Sequence, residues 1–108
     1  MLKEKSVIIT GSTSGIGKGI AMAFASKECN VMLNGFGDAS EIEALRTGIE
    51  TDHGVKALYS DADMTRPDQI KEMVFTAKDV FGSVDILVNN AGIQHVASIS
   101  IDGGWTAQ

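Results

Sequence analysis

One segment constrains this chain more than any other. Thr10-Gly11-Ser12-Thr13-Ser14-Gly15-Ile16-Gly17 stands directly behind a β-branched run, Val7-Ile8-Ile9-Thr10, and directly before a stretch of helical spacing. Glycine at 11, 15 and 17 lets the backbone turn tightly and approach a ligand with no Cβ in the way. A helix that begins there presents unpaired N–H groups and a partial positive charge, so an anionic group can sit against it. Ser12, Thr13 and Ser14 add hydroxyl donors. The alternative is an ordinary tight turn whose glycines serve only helix–strand packing. The strand–turn–helix context inside a βαβ unit favours the pyrophosphate of a dinucleotide instead. An NTPase phosphate loop is excluded at two positions: glycine is needed where Ser12 stands, and serine or threonine where Gly19 follows Lys18.

Four strand-like segments alternate with three helix-like ones, the pattern of a parallel α/β sheet. Val7–Thr10 is the first strand. A helix follows from about Gly17 to Lys27, with Ile16, Ile20, Ala21 and Phe24 on one face. Val31–Asn34 is the second strand. Asp38-Ala39-Ser40-Glu41 then reads as a capping box, with Ile42, Leu45 and Ile49 lining the helix and Gly54 closing it. The third strand spans Val55 to about Ala62. Pro67 suits the first turn of the next helix, whose stripe Ile70, Met73, Val74, Ala77, Val80 and Phe81 ends at Gly82. Val84–Val88, nearly all apolar, is expected to be a strand buried on both faces.

Composition narrows the partners. A chain of 108 residues holds one domain. Its net charge of −5, with 9 basic side chains and no cluster of them, argues against nucleic acid and anionic membranes. Cys29 is the single cysteine, so no disulfide framework exists, and it is expected to pack as a small hydrophobe. No apolar stretch approaches the roughly 20 residues of a membrane span. Met1–Ser6 lacks the apolar core of a signal peptide, so a cytoplasmic location is expected. Glu41, Glu43, Glu50 and Asp52 read as a solvated helix face, and no histidine–cysteine spacing suggests a metal.

Thr-Gly-x-x-x-Gly-Ile-Gly at 10–17, followed by Asn89-Asn90-Ala91-Gly92 behind the fourth strand, resembles the short-chain dehydrogenases/reductases. Asp63, closing the third strand, matches the acidic residue that family uses near the adenine. Leu33–Asp38, Asn90–Val96 and Asp102–Gln108 are similar to members that act on small hydroxy acids. The resemblance implies a Rossmann-type doubly wound parallel sheet, of which the chain carries the N-terminal half plus a C-terminal strand and tail. Residues 1–97 form the dinucleotide-binding βαβαβαβ half in this reading, and 98–108 the strand and tail of the same fold. The activity implied is NAD-linked oxidation of a small-molecule hydroxy acid.

By the same resemblance, Gly11, Thr13, Ser14, Gly15, Ile16 and Gly17 form the cofactor turn, with Ser14 and Ile16 near the diphosphate and nicotinamide end. Phe36, Asp63 and Met64 flank the adenosine. Asn90 and Gly92 lie beside the ribose near the nicotinamide. Gln94 reaches toward the substrate carboxylate, and Trp105 comes from a tail that helps close the site. Asn89 either ties neighbouring loops together or touches cofactor, and His95 is a structural or exposed residue before it is a substrate contact. Gly35 and Phe36 stand where many NAD-binding members carry an aspartate, and Asp38 comes later. No lysine or arginine is near enough in sequence to pair with a 2′-phosphate, which favours NAD over NADP.

The family's acid/base is a tyrosine with a lysine four residues on, preceded by a serine. Proton transfer needs such a group within hydrogen-bond reach of the alcohol. Here the one tyrosine, Tyr59, is followed at that distance by Asp63, lies in the third strand and is assigned to packing. Ser98 and Ser100 precede no Tyr-x-x-x-Lys, so no catalytic residue is assigned. About nine residues separate Val88 from Ser98, whereas a parallel crossover takes about a dozen or more. The middle of the family's enzyme is therefore expected to be absent. Three readings follow: a dehydrogenase seen without its catalytic middle, an NAD-binding fragment without chemistry, or a misassembled fragment without nucleotide binding. An apolar fourth strand left at a sheet edge also invites a homo-oligomer.

Overall fold

The computed structural model describes residues 2–90. Gly92, Gln94, Trp105 and the expected strand and tail at 98–108 lie outside them. The element order is β1 (Ser6–Ile9), α1 (Gly15–Ser26), β2 (Asn30–Asn34), α2 (Ala39–His53), β3 (Ala57–Ser60), α3 (Pro67–Phe81) and β4 (Ile86–Val88). The sheet order is β3-β2-β1-β4, with every pairing parallel. After β1 the chain winds to one side for β2 and β3, then crosses over to place β4 on the other side of β1. The reversal makes the β1/β4 boundary the topological switch point, where such sheets bind ligands at their C-terminal ends.

Alternate residues of the strands feed two cores. Val7, Ile9, Val31, Leu33 and Ala57 face α1 and α2 together with Ile49, Ala21 and Ala25. Ile8, Met32 and Leu87 face α3 through Ile70, Met73 and Ala77. Complete burial of a side chain such as Ile8 or Ile9 is worth about 1.5–3 kcal/mol. Cys29 is fully buried between α1 and β2, as a small hydrophobe should be. No helix among the described residues is long and apolar enough to cross a membrane.

Local chemistry sets the helix ends. The Asp38 carboxylate accepts from the Glu41 N–H at 3.0 Å, so the expected capping box starts α2. Gly54 and Gly82 close α2 and α3 in the left-handed conformation at φ 68° and 91°. Pro67 occupies the first turn of α3. Three expectations are corrected. Helix α1 begins at Gly15, and its buried face is Gly17, Ala21 and Ala25; Ile16 is 79% exposed, one turn-start residue outside the stripe. β3 is shorter than Val55–Ala62, because its pairing with β2 runs only from Ala57, opposite Val31, to Ser60, opposite Asn34. β4 starts at Ile86: Asp85 instead anchors the strand entry, its carboxylate accepting from Ser6 N–H at 2.9 Å and from the Ser83 hydroxyl at 3.0 Å.

The outer edge of β3 is covered at its first residue by α2. Arg46 Nη1 donates to the Ala57 carbonyl at 3.0 Å, and Glu50 Oε2 accepts from the Ala57 N–H at 3.0 Å. Arg46 also pairs with Glu50 at 3.2 Å and with Glu43 at 2.7 Å. The two carboxylates hold the guanidinium more firmly protonated than usual, chiefly through its hydrogen bond to Glu43.

Candidate functional site

The C-terminal ends of β1, β2 and β4 meet at the glycine-rich turn. Gly11 takes φ 61° and Gly15 φ 60°, left-handed conformations that cost a side-chain-bearing residue about 1–2 kcal/mol. Gly17 is needed for space. A Cβ there would stand 2.6 Å from Asn90 Nδ2 and closer still to the Gly11 carbonyl oxygen. Helix α1 thus presses directly onto the turn that precedes it, and Asn90 Nδ2 donates to that same Gly11 oxygen at 3.0 Å. The Thr10 hydroxyl reaches the Asn89 amide oxygen at 3.2 Å, so both asparagines behind β4 tie to the end of β1. For Asn89 this is the loop-tying role.

The beginning of α1 differs from that of α2. Ser14 is its N-cap but makes no side-chain cap, and the first turn holds no acidic residue. The first N–H groups of a helix have no partner within it. In α2 the Asp38 carboxylate takes that place; in α1 the place is open, exposed at Ser14, Gly15 and Ile16. An open helix start of this kind can take an anionic group, and the close approach at Gly17 packs α1 onto the Gly11 carbonyl beneath it.

The hydroxyls of the turn divide. Ser12 is fully buried, its Oγ donating to the Ile9 carbonyl at 2.8 Å and accepting from Asn34 N–H at 3.0 Å, so it is a structural residue and no phosphate donor. Thr13 donates to the Phe36 carbonyl at 3.0 Å, joining the turn to the β2–α2 loop. Phe36 projects 68% exposed from that loop. Asp63 is half-buried, and its Oδ1 accepts from Thr65 N–H at 2.9 Å and Thr65 Oγ1 at 2.7 Å. Those bonds hold its carboxyl below the usual carboxylate range. Met64 beside it packs against the α3 core. A groove of about 770 Å³, lined in part by Met32, Ser60, Gln69 and Met73, opens under α3 and includes none of the glycine-rich turn.

Sequence reasoning passed over Asn34. Its side chain is buried and fully bonded: Oδ1 accepts from Gly11 N–H at 3.2 Å, and Nδ2 donates to the Ser60 and Ala62 carbonyls at 3.1 and 3.0 Å. It binds the glycine-rich turn to the end of β3. The one signal available was an amide closing an otherwise apolar strand just before Gly35. Tyr59, assigned to packing, does pack on the core, and its hydroxyl also donates to the Gly35 carbonyl. Among the described residues no group of acidic, histidine and cysteine side chains could hold a metal ion.

Comparison with known proteins agrees with this fold. The family model for short chain dehydrogenase matches residues 5–103. D-beta-hydroxybutyrate dehydrogenase of Cupriavidus necator is 48% identical over 99 residues, 92% of this chain and 38% of that enzyme. The enzyme of the same name from Rhizobium meliloti is 45% identical over 95 residues, 88% of this chain and 37% of its own length. A 3-oxoacyl-[acyl-carrier-protein] reductase of Staphylococcus epidermidis is 40% identical over 90 residues, 83% of this chain and 36% of the reductase. Among solved structures, L-sorbose reductase from Gluconobacter frateurii, complexed with NADPH and L-sorbose, superposes with a TM-score of 0.76. It is 33% identical, covering 85% of this chain and 35% of the reductase. The chain therefore spans well under half the length of these relatives. With the family model matched over nearly all of its length, the chain belongs to the short-chain dehydrogenase family.

Proposed function

We propose that this chain is the nucleotide-binding half of an NAD-linked oxidoreductase for a small hydroxy acid, and that its 108 residues bind the cofactor without performing hydride transfer. The observation that carries this reading is the open, uncapped start of α1 at the switch point between β1 and β4, set against a turn that tolerates only glycine at 17. In this reading the free N–H groups at Gly15 and Ile16 receive the pyrophosphate, with the Ser14 hydroxyl beside them. Asn90 borders the ribose near the nicotinamide, Gly11 belongs to the cofactor turn, and Phe36, Asp63 and Met64 border the adenosine. When bound, NAD supplies the hydride acceptor.

The preference for NAD rests on charge. Residues 35–38 carry no cation to meet a 2′-phosphate. Asp38 is held ionised below the usual carboxylate range by the Ser40 hydroxyl and the Glu41 N–H, so it repels one. The preference for 3-hydroxybutyrate as substrate rests on the two D-beta-hydroxybutyrate dehydrogenases at 48% and 45% identity. The absence of turnover rests on the sequence, which contains no Tyr-x-x-x-Lys. Tyr59 stands in β3, two strands from β1, and its hydroxyl is engaged with the Gly35 carbonyl, a position from which it takes no alcohol proton.

Calorimetric titration of the 108-residue chain with NAD tests the binding claim. Saturable binding tighter than about 1 mM, roughly 4 kcal/mol, is expected. A parallel assay with (R)-3-hydroxybutyrate and NAD should form no NADH. Failure to bind at millimolar NAD overturns the first claim, and NADH formation the second.

A further inference from the structure

We propose that Tyr59 is a positioning residue for the adenosine half of the dinucleotide, fixing the β2–α2 loop through the Gly35 carbonyl; the inference rests on the dinucleotide reading above. The loop Gly35-Phe36-Gly37 has two glycines at φ 145° and 152°, a backbone that is intrinsically free to swing. It is nonetheless tied at two successive carbonyls by side chains from two other elements. Tyr59, from β3, donates to the Gly35 oxygen. Thr13, from the glycine-rich turn, donates to the Phe36 oxygen at 3.0 Å. The contact with Thr13 is close: a Cβ at Gly35 would meet Thr13 Oγ1 at 2.7 Å. Immediately afterwards Asp38 locks the start of α2.

Phe36 projects from the loop, exposed, beside the turn that the dinucleotide reading assigns to the pyrophosphate. Its position is set by the backbone that these bonds hold. Tyr59 is well suited to the task because its ring packs against the core shared by the sheet and α2, so the hydroxyl is presented from a fixed support. Burial, with the nearby Asp61 charge, raises the phenol above its usual range and keeps it protonated as a donor.

Tyr59→Phe in the 108-residue chain removes the hydroxyl and keeps the ring. Two measurements read the result: the Kd for NAD by calorimetry, and amide hydrogen exchange resolved by residue. The expected outcome is a Kd raised about three- to tenfold, the size of one lost hydrogen bond, with faster exchange confined to Phe36 and Gly37. Unchanged exchange in the loop shows that no clamp exists and overturns the inference. Faster loop exchange with an unchanged Kd overturns the positioning role. Weaker binding with faster exchange throughout β1 and β2 marks general damage to the fold and overturns it as well. If the parent chain itself binds no NAD, the dinucleotide reading falls and the positioning role with it; a parent that binds beside an equal variant removes the positioning role alone.

Discussion

Asn34 and Gly11 are joined by a hydrogen bond of 3.2 Å from the glycine N–H to the asparagine Oδ1, while the other end of the same amide donates to Ser60 and Ala62. One buried side chain thus fixes the spacing between the glycine-rich turn and the end of β3, the two places that the proposed function assigns to the dinucleotide.

Asn34→Asp keeps the shape and the acceptor but removes the two donors, leaving carboxylate oxygens against the Ser60 and Ala62 carbonyls. An unsatisfied buried polar group costs about 1–3 kcal/mol, more when charged. Urea unfolding should show a loss of at least that size, and a midpoint equal to that of the parent chain would show that Asn34 is no structural tie.

Two glycine-to-alanine changes should have opposite signs. At Gly17 the new methyl drives into Gly11 and Asn90, an overpacking worth about 1–3 kcal/mol, and NAD binding should disappear with it. At Gly48, inside α2, nothing lies within reach of a new Cβ. There alanine should stabilise the chain by about 0.5–1 kcal/mol through helix propensity. Thermal melting of the two variants beside the parent checks both.

Acid should loosen the start of α2 and the turn that leads into α3. The Asp38 and Asp63 carboxyls are both lowered in the folded chain, Asp38 chiefly by the Ser40 hydroxyl and Asp63 chiefly by the Thr65 N–H. A depressed folded pKa contributes stability that is fully present above the ordinary value of 3.8 and is lost as pH falls through the lower, folded one. The melting temperature should therefore hold from pH 7 to about 5 and drop below about 4. Asp38→Asn, which still accepts the Glu41 N–H, should flatten that drop; an unaltered acid profile would remove Asp38 from the account.

Cys29 should report unfolding. Its thiol is fully buried, and burial, with the Asp85 charge, raises it above its usual range. A thiol-specific chromogenic reagent should react slowly in buffer and at once in concentrated urea. Rapid reaction in buffer would mean that the α1–β2 junction opens without global unfolding.

The elements legible in the sequence were those written in neighbouring residues. Asp38 with Glu41, Pro67, Gly54 and Gly82 declare helix ends through contacts three or four positions apart, and the βαβ alternation sets the parallel sheet. The family motif at 10–17 marked the turn between β1 and α1. What sequence could not supply were side-chain partners far apart in the chain. Ser12 looked like a phosphate donor until its bonds to Ile9 and Asn34 took it into the core. Asn34 carried no motif at all, because its partners lie 23 to 28 residues away. Ile16 differs for another reason: it follows the helical period yet stays exposed, because the buried face of α1 runs through Gly17, Ala21 and Ala25.

The Arg46–Glu50 pair on Ala57 gives the sheet a direction. By answering both the N–H and the carbonyl that β3 turns outward at its first residue, α2 imitates the next strand and discourages another chain from docking there. Growth of the sheet by added strands is thereby opposed at the β3 flank. Truncating Arg46 would remove a terminator as well as an ion pair.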